Sequence, residues 1–374
     1  PIPTVYARKP CAKRDAGGGN FICVCNATYC DDLDPLKKTP KGVVTVFETS
    51  RDGDRLQESQ LKFGQNTVSN ANVKQTITLD PNNKAQKIIG IGASMTDSTG
   101  FNIKSLPQSM QDQVIRDHFS ENGLEYNILR VPIGGTDFST HKYSLDDDHN
   151  DDFNLDHFGL TDDDHQYKIP YLKAARKVSP RKVNLVGSPW AAPAWMKNNS
   201  DIIHGGYLKG NPGGQYYKTF AKYFVKFLDA YKAEGLDYWG LTIENEPGAG
   251  NNPNYDFNCM GFNPELQRDF IKSDLGPALQ QAGYGADKLK VMIFDDQRDQ
   301  IYHWASTILS DKDAAKYVGG TAVHWYQDHE DNVNELHKTH DVDPSKFIMN
   351  TESSYCCNVL GSWEQSKAYS RDII

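Results

Sequence analysis

The chain has 374 residues and a formal net charge of -9 at pH 7, a length that suits one large domain or a barrel with small appendages. The acidic balance argues against nucleic acid as a partner, because phosphate binding needs a basic face. No apolar run approaches the ~20 residues that a bilayer-spanning helix needs.

Four of the seven cysteines, Cys11, Cys23, Cys25 and Cys30, fall in the opening segment CAKRDAGGGNFICVCNATYC. An even-numbered cluster in a glycine-rich, loop-rich segment reads as two disulfides. Zinc is the alternative reading, but Cys23-x-Cys25 is tighter than the usual C-x₂₋₄-C spacing and no histidine lies nearby. Asn26-Ala27-Thr28 and Asn198-Asn199-Ser200 are N-glycosylation sequons, which together with the cysteines favour a secretory-pathway protein. No secretory leader opens the chain, so a processed form or a fragment is expected. Cys259, Cys356 and Cys357 read as free thiols.

After the cysteines, VVTVFETS (43–50) and NVKQTITLD (72–80) alternate apolar and polar residues, as half-buried antiparallel strands do. From about residue 84, short apolar runs alternate with helical patterns, which implies βα units and a parallel sheet. The strand-like runs are KIIGIGAS, YNILRVPIG, VNLVGSPW, YWGLTIENEP, KVMIFDDQ, GTAVHWY and KFIMNTES. Between them, 215–233 carries Tyr216, Phe220, Tyr223, Phe224, Phe227, Leu228 and Tyr231 at helical spacing, a core stripe. A helix over 264–282 opens with a capping Asn263 and Pro264 at its first position. Another runs from about 300 to 317, and the last, WEQSKAYSRDII, ends the chain.

These are seven βα units, one short of a (β/α)₈ barrel. An open doubly wound sheet would usually show a glycine-rich phosphate loop, and GIGAS lacks the third glycine and the later acidic residue. The expected fold is α/β: a TIM barrel lacking its last βα unit, preceded by partial β segments.

In such barrels the chemistry sits where strands end. Here those ends carry Asp97, then Arg130 and Asp137, Trp190, the trio Glu244, Asn245 and Glu246, then Asp295 and Asp296, His324-Trp325-Tyr326, and Glu352. Carboxylates without a serine–histidine pair, a phosphate loop or a convincing metal cluster suit glycoside hydrolysis. That reaction needs one proton donor and one nucleophile or base. Glu246 and Glu352 lie 106 residues apart, on the fourth and seventh strands, and their tips can converge on one substrate.

TIENEP and NTES resemble the acid/base and nucleophile motifs of retaining clan A glycosidases. CVCNATYCD, YNILRVP, SPWAAPAW, KYFVKFLDAY, ENEP, GFNPELQRDFI, DDQR, AVHWY and GSWEQS resemble, in order and over nearly the whole chain, the lysosomal glucosylceramidases of glycoside hydrolase family 30. The resemblance implies a retaining β-glucosidase, without cofactor or metal, that cleaves glucosylceramide by double displacement. Glu246 would be the acid/base and Glu352 the nucleophile. Asp137, Trp190 and Asn245 would hold the sugar hydroxyls, and Arg130 and Tyr326 would flank the nucleophile. His324 joins this substrate-binding set, and Tyr255, with Phe257 and Trp325, would line the mouth. It further implies a glycosphingolipid substrate, membrane-surface lipid and an activator protein as partners, and a lysosomal or secreted location. A clan A enzyme acting on another β-linked glycan, such as xylan or a β-1,6-glucan, and a catalytically dead sugar- or lipid-binding protein are the alternatives.

The same resemblance divides the chain into a disulfide-tied β segment (1–35), part of a β-sandwich (36–83) and the catalytic barrel (84–374). Because the family continues past the region matching Ile374, the expectation is a fragment, weakly active or inactive alone. Plain structural readings stand beside the functional ones. Glu244 reads as a salt-bridged structural acid, and Asp295, Asp296 and Arg298 as a rim ion-pair network. His324 reads as a hydrogen-bonded barrel histidine, and the acidic run 146–165 as a solvated loop.

Overall fold

A computed structural model describes residues 9–17, 19–31, 36–50, 54–64 and 77–354. The described chain falls into two units, one ending at Gly90 and one beginning at Ile91.

In the first unit, β1 (Lys13–Gly17) and β2 (Asn20–Cys23) form an antiparallel hairpin. Gly17 and Gly19 take φ of 81° and 79° at its turn, a conformation that costs glycine little. Disulfides join Cys11 to Cys23 and Cys25 to Cys30, which meets the expectation of two. A second antiparallel pair, β3 (Val43–Glu48) with β4 (Gln57–Lys62), has Val43 opposite Lys62 and Glu48 opposite Gln57. The sequence also predicts a strand at 72–80. Residues 72–76 lie outside the described residues, and 77–80 form no strand, with Ile77 and Leu79 exposed. The partner of β3, QESQLK, is exposed at all six positions, so it carries no apolar alternation to reveal it.

The second unit is built on seven parallel strands: β5 (Gly92–Ser94), β6 (Ile128–Ile133), β7 (Asn184–Pro189), β8 (Gly240–Thr242), β9 (Lys290–Gln297), β10 (Val318–His324) and β11 (Phe347–Glu352). Each pairs with its sequence neighbour in an unbroken run from β5 to β11. The strand order never reverses, as it does in a doubly wound sheet, and this is the order of a (β/α) barrel. Leu129, Val131, Leu185, Leu241, Ile293 and Ala322 fill the buried middle of the sheet.

The helix Gln215–Ala233 closes over the sheet with Phe220, Tyr223, Phe224, Phe227, Leu228 and Tyr231 buried, as the aromatic spacing predicts, though Tyr217 rather than Tyr216 completes the stripe. Fully burying each such ring contributes on the order of 2–3 kcal/mol, so this one face is a large part of the core. Asn263 caps the next helix, its Oδ1 accepting from the Leu266 amide at 2.8 Å. That helix runs unbroken to Gln281, as expected, with one wider π-helical turn at Ile271–Leu275 between Pro264–Phe270 and Gly276–Gln281. The helix expected at 300–317 is two pieces, Ile301–Leu309 and Lys312–Ala315, the second capped by Asp311. The terminal helix, Cys356 and Cys357 lie outside the described residues. Among the described residues, no helix is long and apolar enough to cross a membrane.

Candidate active site

Strand order brings the tips of β6 to β11 around one cluster of charge. Glu352 is the last residue of β11. Its Oε2 accepts from Arg130 Nη1 at 2.6 Å and its Oε1 from the Tyr326 hydroxyl at 2.8 Å. Glu246 lies beyond β8, at the start of a short 3₁₀ turn, with φ of 44°. A non-glycine residue in this left-handed region is uncommon and marks a position the surroundings enforce. Its Oε1 accepts from Gln297 Nε2 at 2.8 Å and meets His324 Nδ1 at 3.0 Å, while its Oε2 accepts from the Tyr255 hydroxyl at 3.3 Å. One donor atom each from Glu246, His324 and Glu352 lies within 4.8 Å of the others. The two carboxylates are therefore close enough for direct attack on a sugar held between them. An inverting pair stands ~6.5–9.5 Å apart to admit a water.

Arg130 is 5% exposed, and both terminal nitrogens of its guanidinium are engaged. Besides Glu352 it donates to Asn245 Oδ1 at 2.7 Å, Asp295 Oδ2 at 2.8 Å and Ser188 Oγ at 3.1 Å. It also stacks over the Trp190 ring, its central carbon 4.6 Å from the centroid. Trp190 is thereby buried beneath the arginine. Burial alone would lower the Arg130 pKa, but the Asp295 and Glu352 carboxylates raise it.

His324 is fully buried, with one ring nitrogen facing Glu246 and the other facing Asp295 at 3.1 Å. Two ionised carboxylate partners favour two ring N–H donors, which is the imidazolium. Burial opposes that charge, but Asp295 outweighs it and the pKa is pushed up to about 10. The plain reading of a hydrogen-bonded barrel histidine and membership of the site both hold. The donors Glu246, His324 and Glu352 are close enough to embrace a cation, but a ligating imidazole must be neutral, and the raised pKa of His324 favours its charged form. The acidic Asp31 lies near both cysteine pairs, whose sulfurs are already joined to each other.

Around this cluster, two further carboxyls hold their protons more tightly than usual. Asp137 sits exposed on the loop after β6; partial desolvation, then Glu352 and Glu246, push its pKa up to about 6. Asp296, accepting from the Gly248 amide at 3.1 Å, is pushed to about 6 by burial and by Glu246. Burial and Glu246 raise the Tyr255 hydroxyl, and burial and Glu352 raise that of Tyr326.

The sequence-based set thus converges: Glu246, Glu352, Arg130, Asn245, Trp190, His324, Tyr255 and Tyr326 are linked by direct contacts, and Asp137 through its charge. Asp97 stays apart, at the start of the helix Asp97–Lys104 beneath the Tyr143 hydroxyl. Asn198 is exposed and accepts from the Tyr207 amide at 3.0 Å; Asn26 is exposed in the first unit, its Oδ1 accepting from Thr28.

Three readings change. Asp295 is not on the rim: it is fully buried and bonded to Arg130 and His324, while Arg298 pairs with Asp328 instead. Glu244 is buried but has no salt bridge among the described residues. Neither carboxyl oxygen closes a hydrogen bond, and burial, only partly offset by the charge of Lys197, raises its pKa well above the usual range. The acidic run is not wholly solvated, since Asp146 and Asp164 are buried, the latter against Lys168 at 2.6 Å. Sequence reasoning missed Gln297, Ser188 and Thr351, each bonded to a member of the cluster. Gln297 and Thr351 adjoin strand-end residues that were recognised, and Ser188 lies two positions before Trp190.

Comparison with known proteins agrees with the fold. The glycosyl hydrolase family 30 TIM-barrel domain matches residues 88–374. The chain is 42% identical to the lysosomal acid glucosylceramidase of Mus musculus, over 100% of this chain and 72% of that one. It is 33% identical to an endo-1,6-beta-D-glucanase of Neurospora crassa over 69% of this chain and 52% of that one. Among solved structures, the endo-β1,6-glucanase BT3312 superposes with a TM-score of 0.71 at 28% identity, covering 87% of this chain and 67% of its own. The chain belongs to glycosyl hydrolase family 30, whose members are retaining glycoside hydrolases.

Proposed function

We propose that the protein is a retaining β-glucosidase that hydrolyses glucosylceramide to glucose and ceramide, with Glu352 as nucleophile and Glu246 as acid/base. The observation that carries this reading is the approach of the two carboxylates, one oxygen of each within 4.8 Å of the other. Such spacing suits the retaining course, in which no water fits between nucleophile and sugar.

In the first step a Glu352 oxygen attacks the anomeric carbon and the bond to the ceramide oxygen breaks. Glu246 gives its proton to that oxygen, and a glycosyl ester remains on Glu352. In the second step Glu246 takes a proton from water, which displaces Glu352 and restores the β configuration. Arg130 and Tyr326 bind one Glu352 oxygen each, fixing the carboxylate before substrate arrives. Asn245, itself held by Arg130, would present its amide to the sugar 2-OH, a bond that strengthens in the transition state. Asp137 and Trp190 complete the sugar-binding set, and Tyr255 would line the mouth with Phe257, its ring neighbour at 4.3 Å. A glycolipid substrate would be met at a membrane surface, with an activator protein presenting it, in the lysosome or outside the cell.

The similarity to β-1,6-glucanases supports one second reading, an enzyme for a soluble β-linked glucan. Hydrolysis of glucosylceramide in mixed micelles, measured beside a β-1,6-glucan, separates them. Release of ceramide with no cleavage of the glucan is expected; the reverse would overturn the lipid substrate. Assaying this chain beside one extended by a further βα unit tests how far residues 1–374 suffice.

A further inference from the structure

We propose that Asp295 is the positioning residue that holds the proposed acid/base and nucleophile in one frame. It does so through a strained bulge in β9, and it never touches substrate. The inference rests on the catalytic reading of Glu246 and Glu352 and adds what sets their geometry.

The backbone comes first. Phe294 and Asp295 take φ of 75° and 70° in succession, inside a strand. For a bulky residue such as phenylalanine this is a true outlier. The pairing of β9 with β10 slips at the same place: Ala322 lies opposite Phe294 and Val323 opposite Asp296, so Asp295 is the extra residue. Bulges of this kind re-aim side chains beside active sites. The side chain of Gln267, fully buried on the neighbouring helix, accepts from the Phe294 amide at 3.0 Å and supports the distortion. Turned by the bulge, the Asp295 carbonyl accepts from the Glu246 amide at 3.0 Å. One left-handed residue thus anchors the other.

The side chain comes second. Asp295 Oδ1 accepts from Thr351 Oγ1 at 2.5 Å and His324 Nε2 at 3.1 Å; Oδ2 accepts from Arg130 Nη2 at 2.8 Å and Ser188 Oγ at 3.0 Å. A carboxylate has about four acceptor positions, and all are used, so none remains for a ligand. Of the four donors, Arg130 continues to Glu352, His324 continues to Glu246, and Thr351 immediately precedes Glu352. Burying a charge this deeply is weak evidence for stability, since apolar packing often does as well. Its value here is geometric. Two cations pulled inward by one buried anion present their outer faces to the two half-buried carboxylates at fixed positions.

The test is Asp295→Asn in the whole chain, with a cyclitol epoxide that esterifies a glycosidase nucleophile. The wild-type chain should be labelled at Glu352; absence of that label would count against the catalytic reading rather than against Asp295. In the variant the same residue should be labelled, but ~100-fold or more slowly, the scale expected when a reacting group is misplaced by about an ångström. The slow rate should also acquire a new titration near neutrality as His324 loses its anion. A variant labelled within ~3-fold of wild type with an unchanged pH profile would overturn the proposal. Should Asp295→Asn not fold, the ring nitrogens of wild-type His324 give an independent readout by ¹⁵N NMR. The bond to Asp295 requires Nε2 to carry a proton at pH 7, and an unprotonated Nε2 would overturn the proposal equally.

Discussion

Replacing Arg130 with lysine keeps the charge and removes the fork. The guanidinium donates through Nη1 to Glu352 and through Nη2 to Ser188, Asn245 and Asp295, contacts that join β6 to β7, the end of β8, β9 and β11. An ammonium offers three donors from one point, and the four acceptors are distributed around two nitrogens. At least one contact is therefore lost. At ~1.5–3 kcal/mol for each hydrogen bond to a charged group, the loss is at least ~1.5–3 kcal/mol. It falls on Asp295, which Arg130 and His324 hold well below the usual carboxylate range against the cost of its burial. With an unfolding entropy of ~2.1 cal/mol/K per residue over the second unit, 3 kcal/mol corresponds to a Tm lower by ~5 °C. Scanning calorimetry reads that shift, and the rate of epoxide labelling at Glu352 reads the site. A variant that melts within ~1 °C of wild type and labels at an undiminished rate would show that charge alone suffices, and the fork argument would be wrong.

Three further outcomes follow from the same geometry. Glu246→Gln should slow substrates with poor leaving groups by ~10²–10⁴ while sparing the first step on activated aryl glucosides, since only the former need proton donation; equal losses on both, by steady-state kinetics, would remove Glu246 from that role. His324, raised in the folded state to about 10 from an ordinary value of 6.5, contributes stability that is fully present below pH ~6.5 and is lost as pH rises through about 10. Denaturant melts should accordingly show an alkaline decline that His324→Gln lacks. Asp137, raised to about 6, favours the folded state most at low pH and loses that contribution as pH rises from ~3.8 through about 6; Asp137→Asn should flatten the stability profile over this window, and an unchanged slope would place the carboxyl away from Glu246 and Glu352.

The strands of the second unit were legible because each is a short apolar run bounded by polar residues, and βα alternation leaves little choice of topology. Residues at strand ends were legible for the same reason: Arg130, Glu246, His324 and Glu352 had to share one end of the sheet. The bulges were not. Asp295 interrupts the pairing of β9 with β10, and Thr351 that of β11, where His324 lies opposite Glu352 and Val323 opposite Asn350. A strand is read by alternation, and a bulge breaks it, so successive residues can face the same cluster. Asp295 therefore passed for a rim acid, and Thr351 went unnoticed beside Glu352. Glu244 misled differently. A carboxyl in the sequence suggests a charged partner, whereas full burial, only partly offset by Lys197 and the Met260 backbone, favours the protonated form instead. In the first unit, β4 has no apolar face at all, and its pairing with β3 rests on backbone bonds that composition does not report.

The stereochemical course gives the most direct check. Hydrolysis of an aryl β-glucoside, followed by proton NMR from the first turnovers, identifies the sugar anomer released before mutarotation mixes the two. Direct attack by Glu352 and its later displacement by water predict β-glucose as the first product. Release of α-glucose would mean that water, rather than Glu352, reaches the anomeric carbon, and the pairing of these two carboxylates would have been misread.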